Sequence, residues 1–242
     1  RSVVSRHPQP PRTVTGPVAA LETDRLSKDY GDGPALQPLT LSVGAGERVA
    51  LVGHNGSGKT TLLRMAAGLL DVDSGSITIF GHSPGSIEAR RHVSYVSDTP
   101  VFYEDLSVWE HLEYTARMHG RTSWQQDASD LLGLLGIFDR ADDLPTRFSR
   151  GLKQKAALAL GFVQPFDLML VDEPFVGLDA EGRDAFLTLV RDTNPERSIV
   201  IATHEPSFLT EVSRVVALRN GELVFDGSAG DAPNDLWVHS PS

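Results

Sequence analysis

One short stretch of this sequence constrains the fold more than any other, the glycine-rich run Gly53-His-Asn-Gly-Ser-Gly-Lys-Thr-Thr61. Glycines let a backbone turn tightly and point its N–H groups at phosphate oxygens. An apolar strand, Arg48 to Val52, precedes the run, and a helical pattern begins at Lys59. That order supplies the strand, loop and helix that the phosphate-binding motif G-x-x-x-x-G-K-[ST] requires, and it points the positive end of the helix at the loop. A glycine turn that matches by chance is the competing interpretation.

The residues of this loop have distinct expected tasks. Lys59 would contact the β- and γ-phosphates of a nucleoside triphosphate, and the Thr60 hydroxyl would ligate Mg²⁺. The sequence therefore predicts a site for a nucleoside triphosphate with magnesium. The remaining expected ligand-binding members of the loop are Gly53, His54, Asn55, Gly56, Ser57, Gly58 and Thr61.

A second chemical feature is an apolar segment that ends in two acids, Leu168-Met-Leu-Val-Asp-Glu-Pro174. Side chains alternate across a strand, so Asp172 and Glu173 point in different directions. Asp172 is placed to hold Mg²⁺, directly or through water, and Glu173 to orient or deprotonate an attacking water. Two solvated acids at a strand end are the alternative, which the phosphate loop upstream disfavours.

Charge and composition exclude several classes of protein. The chain has 22 Lys and Arg against 32 Asp and Glu, a net charge of -10, which argues against a general nucleic-acid binder. It has no cysteine, which excludes disulfides, thiolate zinc sites and cysteine nucleophiles and fits a reducing cytoplasm. Its longest apolar candidate, Ala156 to Val163, is far shorter than the roughly 18 residues that span a bilayer. We therefore expect any membrane role to depend on a partner.

Hydrophobic periodicity divides the chain into a disordered leader (residues 1–20), one large domain (21–226) and a C-terminal tail (227–242). The domain is predicted to be an α/β core interrupted by a helical insert at about residues 98–163. The predicted helices begin at Lys59, with Leu62, Met65, Ala66 and Leu69 on one face, and run over Ser107–His119, Ser123–Ile137 and Ser149–Val163. The predicted strands are Leu39–Val43, Arg48–Val52, Gly75–Phe80, Val93–Val96, Leu168–Val171, Ser198–Ala202 and a hairpin of Val215–Arg219 with Glu222–Phe225.

A further segment, Phe148-Ser-Arg-Gly-Leu-Lys-Gln-Lys155, resembles the signature sequence of the ATP-binding cassette (ABC) family, usually LSGGQ before a basic stretch. Ser149 and Gly151 match that pattern, whereas Arg150 and Leu152 depart from it. The departure is similar to the ATPases of ABC-2-type exporters, and it narrows the subfamily without removing the resemblance.

Other segments are similar to the same family in the same order. Gly177-Leu-Asp179 resembles its D-loop, with Asp179 as the acid. His204 follows the strand Ser198–Ala202 and resembles the switch histidine, although a histidine in that place can be an ordinary loop residue. Tyr30 resembles the aromatic residue on which adenine stacks, with a core aromatic as the alternative.

One position departs from the family pattern. Asp98 stands where the family has a glutamine that senses magnesium and the γ-phosphate. A carboxylate there could still reach the metal, with altered geometry, and a plain loop aspartate is the competing interpretation. Both stay open at this point.

The resemblance covers about Leu21 to Phe225 and implies the fold and the mechanism of the family. The fold would be a P-loop NTPase core with a mixed sheet flanked by helices, an antiparallel β subdomain and an α-helical insert. The nucleotide would be ATP, hydrolysed with Mg²⁺ by Lys59, Glu173 and His204. A second nucleotide-binding domain, in a homo- or heterodimer, would bring its Ser149 and Gly151 to the γ-phosphate, so that ATP closes the dimer and hydrolysis opens it.

The resemblance also implies a partner and a location. A separate transmembrane subunit would dock around Thr99 to Glu110, with Phe102, Tyr103 and Trp109 as candidate contacts. All three could instead be core of the insert, an alternative that the spacing of Trp109 with Leu112 favours for Trp109. The chain would be cytoplasmic, bound to the inner face of the membrane through that subunit, without nucleic acid. Export is the leading function. An importer ATPase, a soluble ABC ATPase acting on nucleic acid or ribosomes, and a cassette that binds ATP without turnover are the alternatives.

Overall fold

The computed structural model describes residues 18–31, 33–233 and 236. Most of the predicted leader and part of the predicted tail lie outside these residues, so the predicted domain limits stay a prediction. Ala20 is buried and its N–H donates to the carbonyl of Val43 (2.8 Å). Within the described part of the chain, no helix has both the length and the apolar character to cross a membrane.

Two sheets form the framework. A mixed six-stranded sheet has the order β5-β6-β7-β3-β8-β9, and an antiparallel three-stranded sheet has the order β2-β1-β4. All neighbours in the larger sheet are parallel except β8 and β9. The strands are β1 Leu21–Asp29, β2 Pro34–Val43, β3 Arg48–Val52, β4 Ser74–Ile79, β5 Val93–Val96, β6 Leu168–Asp172, β7 Ser198–Thr203, β8 Arg214–Arg219 and β9 Glu222–Ser228.

The central strands are apolar on both faces because helices or the smaller sheet cover them. Every residue of β6 and β7 is buried, as expected for parallel strands inside an α/β protein.

The predicted hairpin between β8 and β9 is confirmed. Asn220 (φ 51°) and Gly221 (φ 81°) both adopt positive φ, the conformation of a two-residue turn that matches strand twist.

Helices flank the larger sheet and build the insert. The three predicted insert helices are confirmed, and side chains fix where two of them begin. Ser107 and Glu110 form a reciprocal capping box at the start of α3, and Ser149 accepts the N–H of Leu152 (3.4 Å) at the start of α5. The α-helices are α1 Lys59–Ala66, α2 Ile87–His92, α3 Val108–Met118, α4 Gln125–Leu134, α5 Arg150–Val163 and α6 Ala180–Asp192, with short 3₁₀ helices at Phe138–Arg140, Pro145–Arg147, Pro206–Glu211 and Ala229–Asp231.

The prediction that Leu69 shares the buried face of α1 is wrong. The helix ends at Ala66, and Gly68 adopts a left-handed conformation (φ 71°) that reverses the chain. The N–H groups of Gly68 and Leu69 then bond to the carbonyls of Met65 (3.0 Å) and Arg64 (2.9 Å), which is the pairing of a Schellman motif. Leu69 is consequently outside the helix, with 65% of its surface exposed.

Three elements, β1, α2 and α6, were not predicted from the sequence. Strand β1 alternates poorly because its pairing with β2 and β4 shifts register after Thr23 and Asp24. Helix α2 spans only Ile87–His92, too short for periodicity to appear. Helix α6 did carry a recognisable pattern, since Asp179 caps it and Ala185, Phe186 and Val190 form its buried face.

Buried apolar residues form two clusters on the two sides of the larger sheet. One joins the insert to α5, α6 and the sheet, and the other joins α1 and the three-stranded sheet to the opposite side. The predicted fold class, an α/β core with a mixed sheet, an antiparallel β subdomain and a helical insert, is confirmed.

Candidate functional site

The carboxyl ends of four neighbouring parallel strands meet at one edge of the six-stranded sheet. Strand β3 leads into the glycine loop, β5 leads to Asp98, β6 ends at Asp172 and β7 leads to His204. Open α/β sheets bind ligands in the crevice at this edge. The sheet order therefore brings together residues that are far apart in sequence.

The glycine loop needs glycine for steric reasons at its two ends. A Cβ on Gly53 (φ 151°) would lie 2.2 Å from the carbonyl oxygen of Leu218, and one on Gly58 (φ 103°) would lie 2.7 Å from that of Ala35. Both distances are shorter than any real contact of that kind. The loop is thus packed against β2 and β8 in a shape that other residues could not adopt.

Lys59 is buried and reaches back across the loop. Its Nζ donates to the carbonyl oxygens of Gly53 (2.7 Å) and His54 (3.2 Å) and lies 3.4 Å from Oε1 of Glu173. The ammonium group is therefore held between the loop and the acidic pair, where it can neutralise phosphate oxygens.

Asp172 is fully buried at the end of β6. Neither of its carboxylate oxygens has a hydrogen-bond partner of good geometry among the described residues. Burial raises the pKa of Asp172 to about 6; the negative charges of Asp98 and Glu173 act in the same direction, and Thr60 and Lys59 oppose them. A buried carboxylate without partners is costly, so this group is arranged for a cation or donor from outside the chain.

Glu173 is held on both sides. Its Oε2 accepts a hydrogen bond from Nδ1 of His204 (2.8 Å), and its backbone N–H donates to the carbonyl of Ala202 (2.8 Å). Its φ of 46° is unusual for a residue with a side chain, and such strain concentrates at functional sites. With Nδ1 committed to the carboxylate, Nε2 of His204 is the ring nitrogen that can face a substrate.

The glycine loop from Asn55 to Thr61, together with Asp98 and Glu173, lines one cleft of about 400 Å³. Asp172 and His204 adjoin this cleft through Thr60 and Glu173 but are not among its described lining residues. Tyr30 lies at its rim with 58% of its surface exposed, and Lys28 Nζ lies 5.8 Å from the centre of its ring. The exposed ring can stack on a planar ligand, which a core aromatic could not do. The described lining residues are Tyr30, Ala35, Asn55, Gly56, Ser57, Gly58, Lys59, Thr60, Thr61, Asp98 and Glu173.

Asp98 faces this cleft and is held by its neighbours. Its Oδ1 accepts a hydrogen bond from the Ser97 hydroxyl (3.1 Å) and lies 3.8 Å from Nη2 of Arg64. Its charge also acts on Asp172. Asp98 thus lies at the cleft, and its role beside a metal stays a prediction.

The residues present fit a magnesium ion. Mg²⁺ takes one or two carboxylates with substrate phosphates and water, in preference to a cage made only of protein. The unpartnered carboxylate of Asp172 beside Thr60 supplies such a ligand set, and no group of three or more acidic or histidine side chains suited to a metal occurs in the described ranges.

Ser149, Gly151 and Asp179 do not line this cleft. Ser149 is exposed at the start of α5, and a Cβ on Gly151 would lie 2.3 Å from the carbonyl oxygen of Gly177. Asp179 caps α6 through the N–H of Gly182 (2.8 Å) and pairs with Lys155 (3.0 Å). These residues form a second surface, called here the α5–α6 edge and comprising residues 149–155 and 177–183.

Three basic residues beside the predicted ones were missed. Arg64 lies next to Asp98, Lys155 pairs with Asp179, and Arg183 pairs with Glu205 (2.5 Å), the residue after His204. Only Lys155 carried a sequence indication, because it belongs to the basic end of the signature-like segment. The other two pairings depend on contacts between elements distant in sequence.

Comparison with known proteins agrees with this geometry. The family model described as "ABC transporter" matches residues 36–176, more than half of the chain. The chain belongs to the ABC transporter family. ATP-binding subunits of this family bind ATP and are ATPases coupled to transport, and they dimerise and work with transmembrane components.

Individual relatives differ in the direction of transport that their names give. The SkfA peptide export ATP-binding protein SkfE of Bacillus subtilis (strain 168) is 34% identical over 85% of this chain and 88% of its own. The aliphatic sulfonates import ATP-binding protein SsuB 1 of Paracoccus denitrificans (strain Pd 1222) is 38% identical over 86% of this chain and 82% of its own. A solved ATP-binding subunit of an ABC transporter is 32% identical over 88% of this chain and 91% of its own, with a TM-score of 0.81.

Proposed function

We propose that this chain powers an ABC exporter by ATP-driven closure of a dimer. The observation that supports the dimer most directly is the separation of the two predicted halves of the site. Lys59, Asp172 and Glu173 lie at the cleft, whereas Ser149 and Gly151 lie on the α5–α6 edge of the same chain. Two copies packed head to tail would complete two cleft sites, and ATP would favour the closed state through contacts that only that state makes.

The cleft residues divide the chemistry of hydrolysis among them. Glu173 would accept a proton from the attacking water, and its bond to Nδ1 of His204 orients the imidazole so that Nε2 can contact the γ-phosphate. Lys59 would hold the β- and γ-phosphates in place of its present carbonyl partners, Gly53 and His54. The ring of Tyr30 would stack on adenine.

Magnesium would be held by Thr60 and Asp172, with Asp98 close by. When bound, it neutralises charge on the phosphate oxygens. The protein's part is to keep the Asp172 carboxylate buried and free of internal partners until the ion arrives.

A groove between the core and the insert supports docking of a membrane subunit. It has a volume of about 590 Å³ and is lined by residues on both sides of Asp98 in the sequence, from Tyr95 to Ser97 and from Thr99 to Phe102. Val101 and Leu69 are highly exposed there (92% and 65%), and Phe102 packs partly against the core. Tyr103 is also exposed nearby (55%), whereas Trp109 packs on Trp124 (5.1 Å between ring centres) and belongs to the core of the insert. We infer that a membrane subunit contacts Phe102 and Tyr103, and not Trp109.

Disulfide crosslinking tests the head-to-tail dimer, because the chain contains no cysteine. Asn55→Cys and Ser149→Cys would be introduced together into a Glu173→Gln background. We expect the double variant to form crosslinked dimers only when ATP and Mg²⁺ are present. Neither single variant should form them. Equal crosslinking without nucleotide, or by a single variant, would contradict the arrangement.

Isolation of the native complex tests the membrane partner and the direction of transport. Gentle extraction should recover a transmembrane protein with the chain, and substitution of Phe102 or Tyr103 by Ser should reduce this recovery more than substitution of Tyr114. An exporter's ATPase activity should be stimulated by substrate alone in reconstituted vesicles. A requirement for an external substrate-binding protein would instead indicate import.

A nucleic-acid function is the second candidate, and the net charge of -10 disfavours it. A salt-dependent complex of the purified chain with DNA or RNA would support that alternative.

A further inference from the structure

Arg183, near the start of α6, contacts two segments that the proposed reaction uses. Its Nη1 lies 2.5 Å from Oε2 of Glu205, and its Nε donates to the carbonyl oxygen of Leu178 (3.4 Å). Glu205 directly follows His204, and Leu178 lies between Gly177 and Asp179 of the α5–α6 edge. One planar guanidinium group therefore spans the switch histidine segment and the surface proposed to meet the partner subunit.

Both segments are fixed at their far ends. On the edge side, the backbone N–H of Arg183 donates to the carbonyl of Asp179 (3.0 Å), and Asp179 pairs with the buried Lys155 (3.0 Å). On the cleft side, the N–H of Glu205 donates to Oγ1 of Thr203 (3.0 Å). Arg183 therefore links the edge directly to the residue that follows His204.

The same cleft-side segment ends on the proposed catalytic group. Nδ1 of His204 contacts Oε2 of Glu173 at 2.8 Å. Arg183 is not among the described residues that line the cleft. The described contacts that connect Arg183 with the proposed catalytic group run through Glu205 and His204 to Glu173.

We propose that Arg183 is a positioning residue for ATP hydrolysis. It joins Leu178 to Glu205 and so sets His204 relative to the edge that meets the partner subunit. This inference rests on the proposed dimer and deepens it, because it names the link by which closure at the edge acts on the chain's own cleft.

The test uses the single variants Arg183→Met and Glu205→Gln and a double charge reversal, which combines Arg183→Glu with Glu205→Arg. The matched control is Arg191→Met, which removes another ion pair of the same helix (Arg191 to Glu211, 3.4 Å). For each purified full chain, the dissociation constant for ATP, kcat and Tm would be measured. Arg183→Met and Glu205→Gln should each lower kcat about tenfold and change ATP affinity less than about threefold.

Two results decide the proposal. The charge reversal should return kcat to within about threefold of the unmodified chain, whereas Arg183→Glu alone should not. The proposal is overturned if Arg183→Met keeps full kcat, or if it loses no more activity than Arg191→Met, or if the folded charge reversal stays as slow as Arg183→Glu. Failure of the crosslinking test in the chain that keeps Arg183 would overturn the dimer itself, whereas normal crosslinking with full kcat in Arg183→Met would overturn only the positioning role.

Discussion

The cleft and the α5–α6 edge differ in whether their polar side chains have hydrogen-bond or ion-pair partners within the chain. In the cleft, both oxygens of Asp172, Oε1 of Glu173 and the hydroxyl of Ser57 are buried without a hydrogen-bond partner among the described residues. On the edge, Lys155 pairs with Asp179, Arg183 pairs with Glu205, and Asp179 caps α6, whereas Nε2 of Gln154 is buried without a hydrogen-bond partner among the described residues. The difference indicates that the cleft keeps bonding capacity for a ligand, whereas the charged groups of the edge that are described above bond within the chain. Loss of Lys59 in the cleft should therefore act mainly on ATP binding, and loss of Asp179 on the edge should act mainly on stability.

The largest effect is expected at Lys59. Lys59→Ala removes the cation that faces the phosphates, and we expect ATP affinity to fall by at least about 100-fold. Unfolding free energy should change less than the free energy of ATP binding, by about 1 to 2 kcal/mol, because the substitution removes bonds to two loop carbonyls and one contact with Glu173. Arg91→Ala, which removes an exposed cation of α2 outside the cleft, is the control. ATP affinity unchanged in Lys59→Ala would contradict the role of the glycine loop.

On the edge, Asp179→Ala should lower the unfolding free energy by about 2 kcal/mol. The change removes the cap of α6 and leaves the buried Lys155 without its partner. Asp184→Ala, an exposed acid on the same helix, should change stability by less than about 0.5 kcal/mol. Urea denaturation of both variants would measure the difference. Equal stabilities would contradict the stabilising role of Asp179 on the edge.

In the cleft, Asp172→Asn should increase stability at neutral pH when no metal is present. The pKa of Asp172, raised to about 6 by burial, means that the folded chain binds this proton more tightly than the unfolded chain does. The stability that protonated Asp172 contributes is therefore fully present below the pKa of the unfolded chain and is lost as pH rises through about 6. In EDTA at pH 7.5 we expect the variant to gain about 2 kcal/mol, and at pH 4.5 much less. A gain that does not depend on pH would contradict the buried, unpartnered carboxylate.

The smallest effect is expected at the rim of the cleft. Tyr30→Ala should weaken ATP binding about tenfold by removing the stacking surface, and Tyr30→Phe should keep most of the affinity. Tyr114→Ala, which removes an exposed aromatic of the insert, serves as the control. Equal ATP affinities for Tyr30→Ala and Tyr114→Ala would remove Tyr30 from the site.

Contiguous motifs allowed most of the cleft to be predicted from sequence. The loop from Gly53 to Thr61 and the acids after β6 depend on local backbone shape, and the structure places them together at the sheet edge. Helix starts were also predictable where a side chain caps them, as at Ser107 and Ser149.

What could not be predicted depends on how separate elements pack. The pairs Arg64–Asp98 and Arg183–Glu205 each join elements whose register is set only in the folded core. Leu69 was misplaced because α1 ends at Ala66 and the left-handed turn at Gly68 takes the chain out of the helix, although the apolar spacing continues to Leu69. The contact of Asp98 with Arg64 and its electrostatic effect on Asp172 likewise depend on the folded arrangement and could not be predicted from sequence.

The most direct test of the account is a single substitution, Glu173→Gln, which keeps the size of the side chain and removes its basic carboxylate. Two quantities would be measured on the same preparation: the dissociation constant for ATP with Mg²⁺ and the rate of phosphate release. We expect ATP affinity within about threefold of the unmodified chain and phosphate release at least about 100-fold slower, because only the step that uses the carboxylate is lost. Phosphate release near the original rate would contradict the assignment of Glu173 and, with it, the catalytic meaning of the cleft.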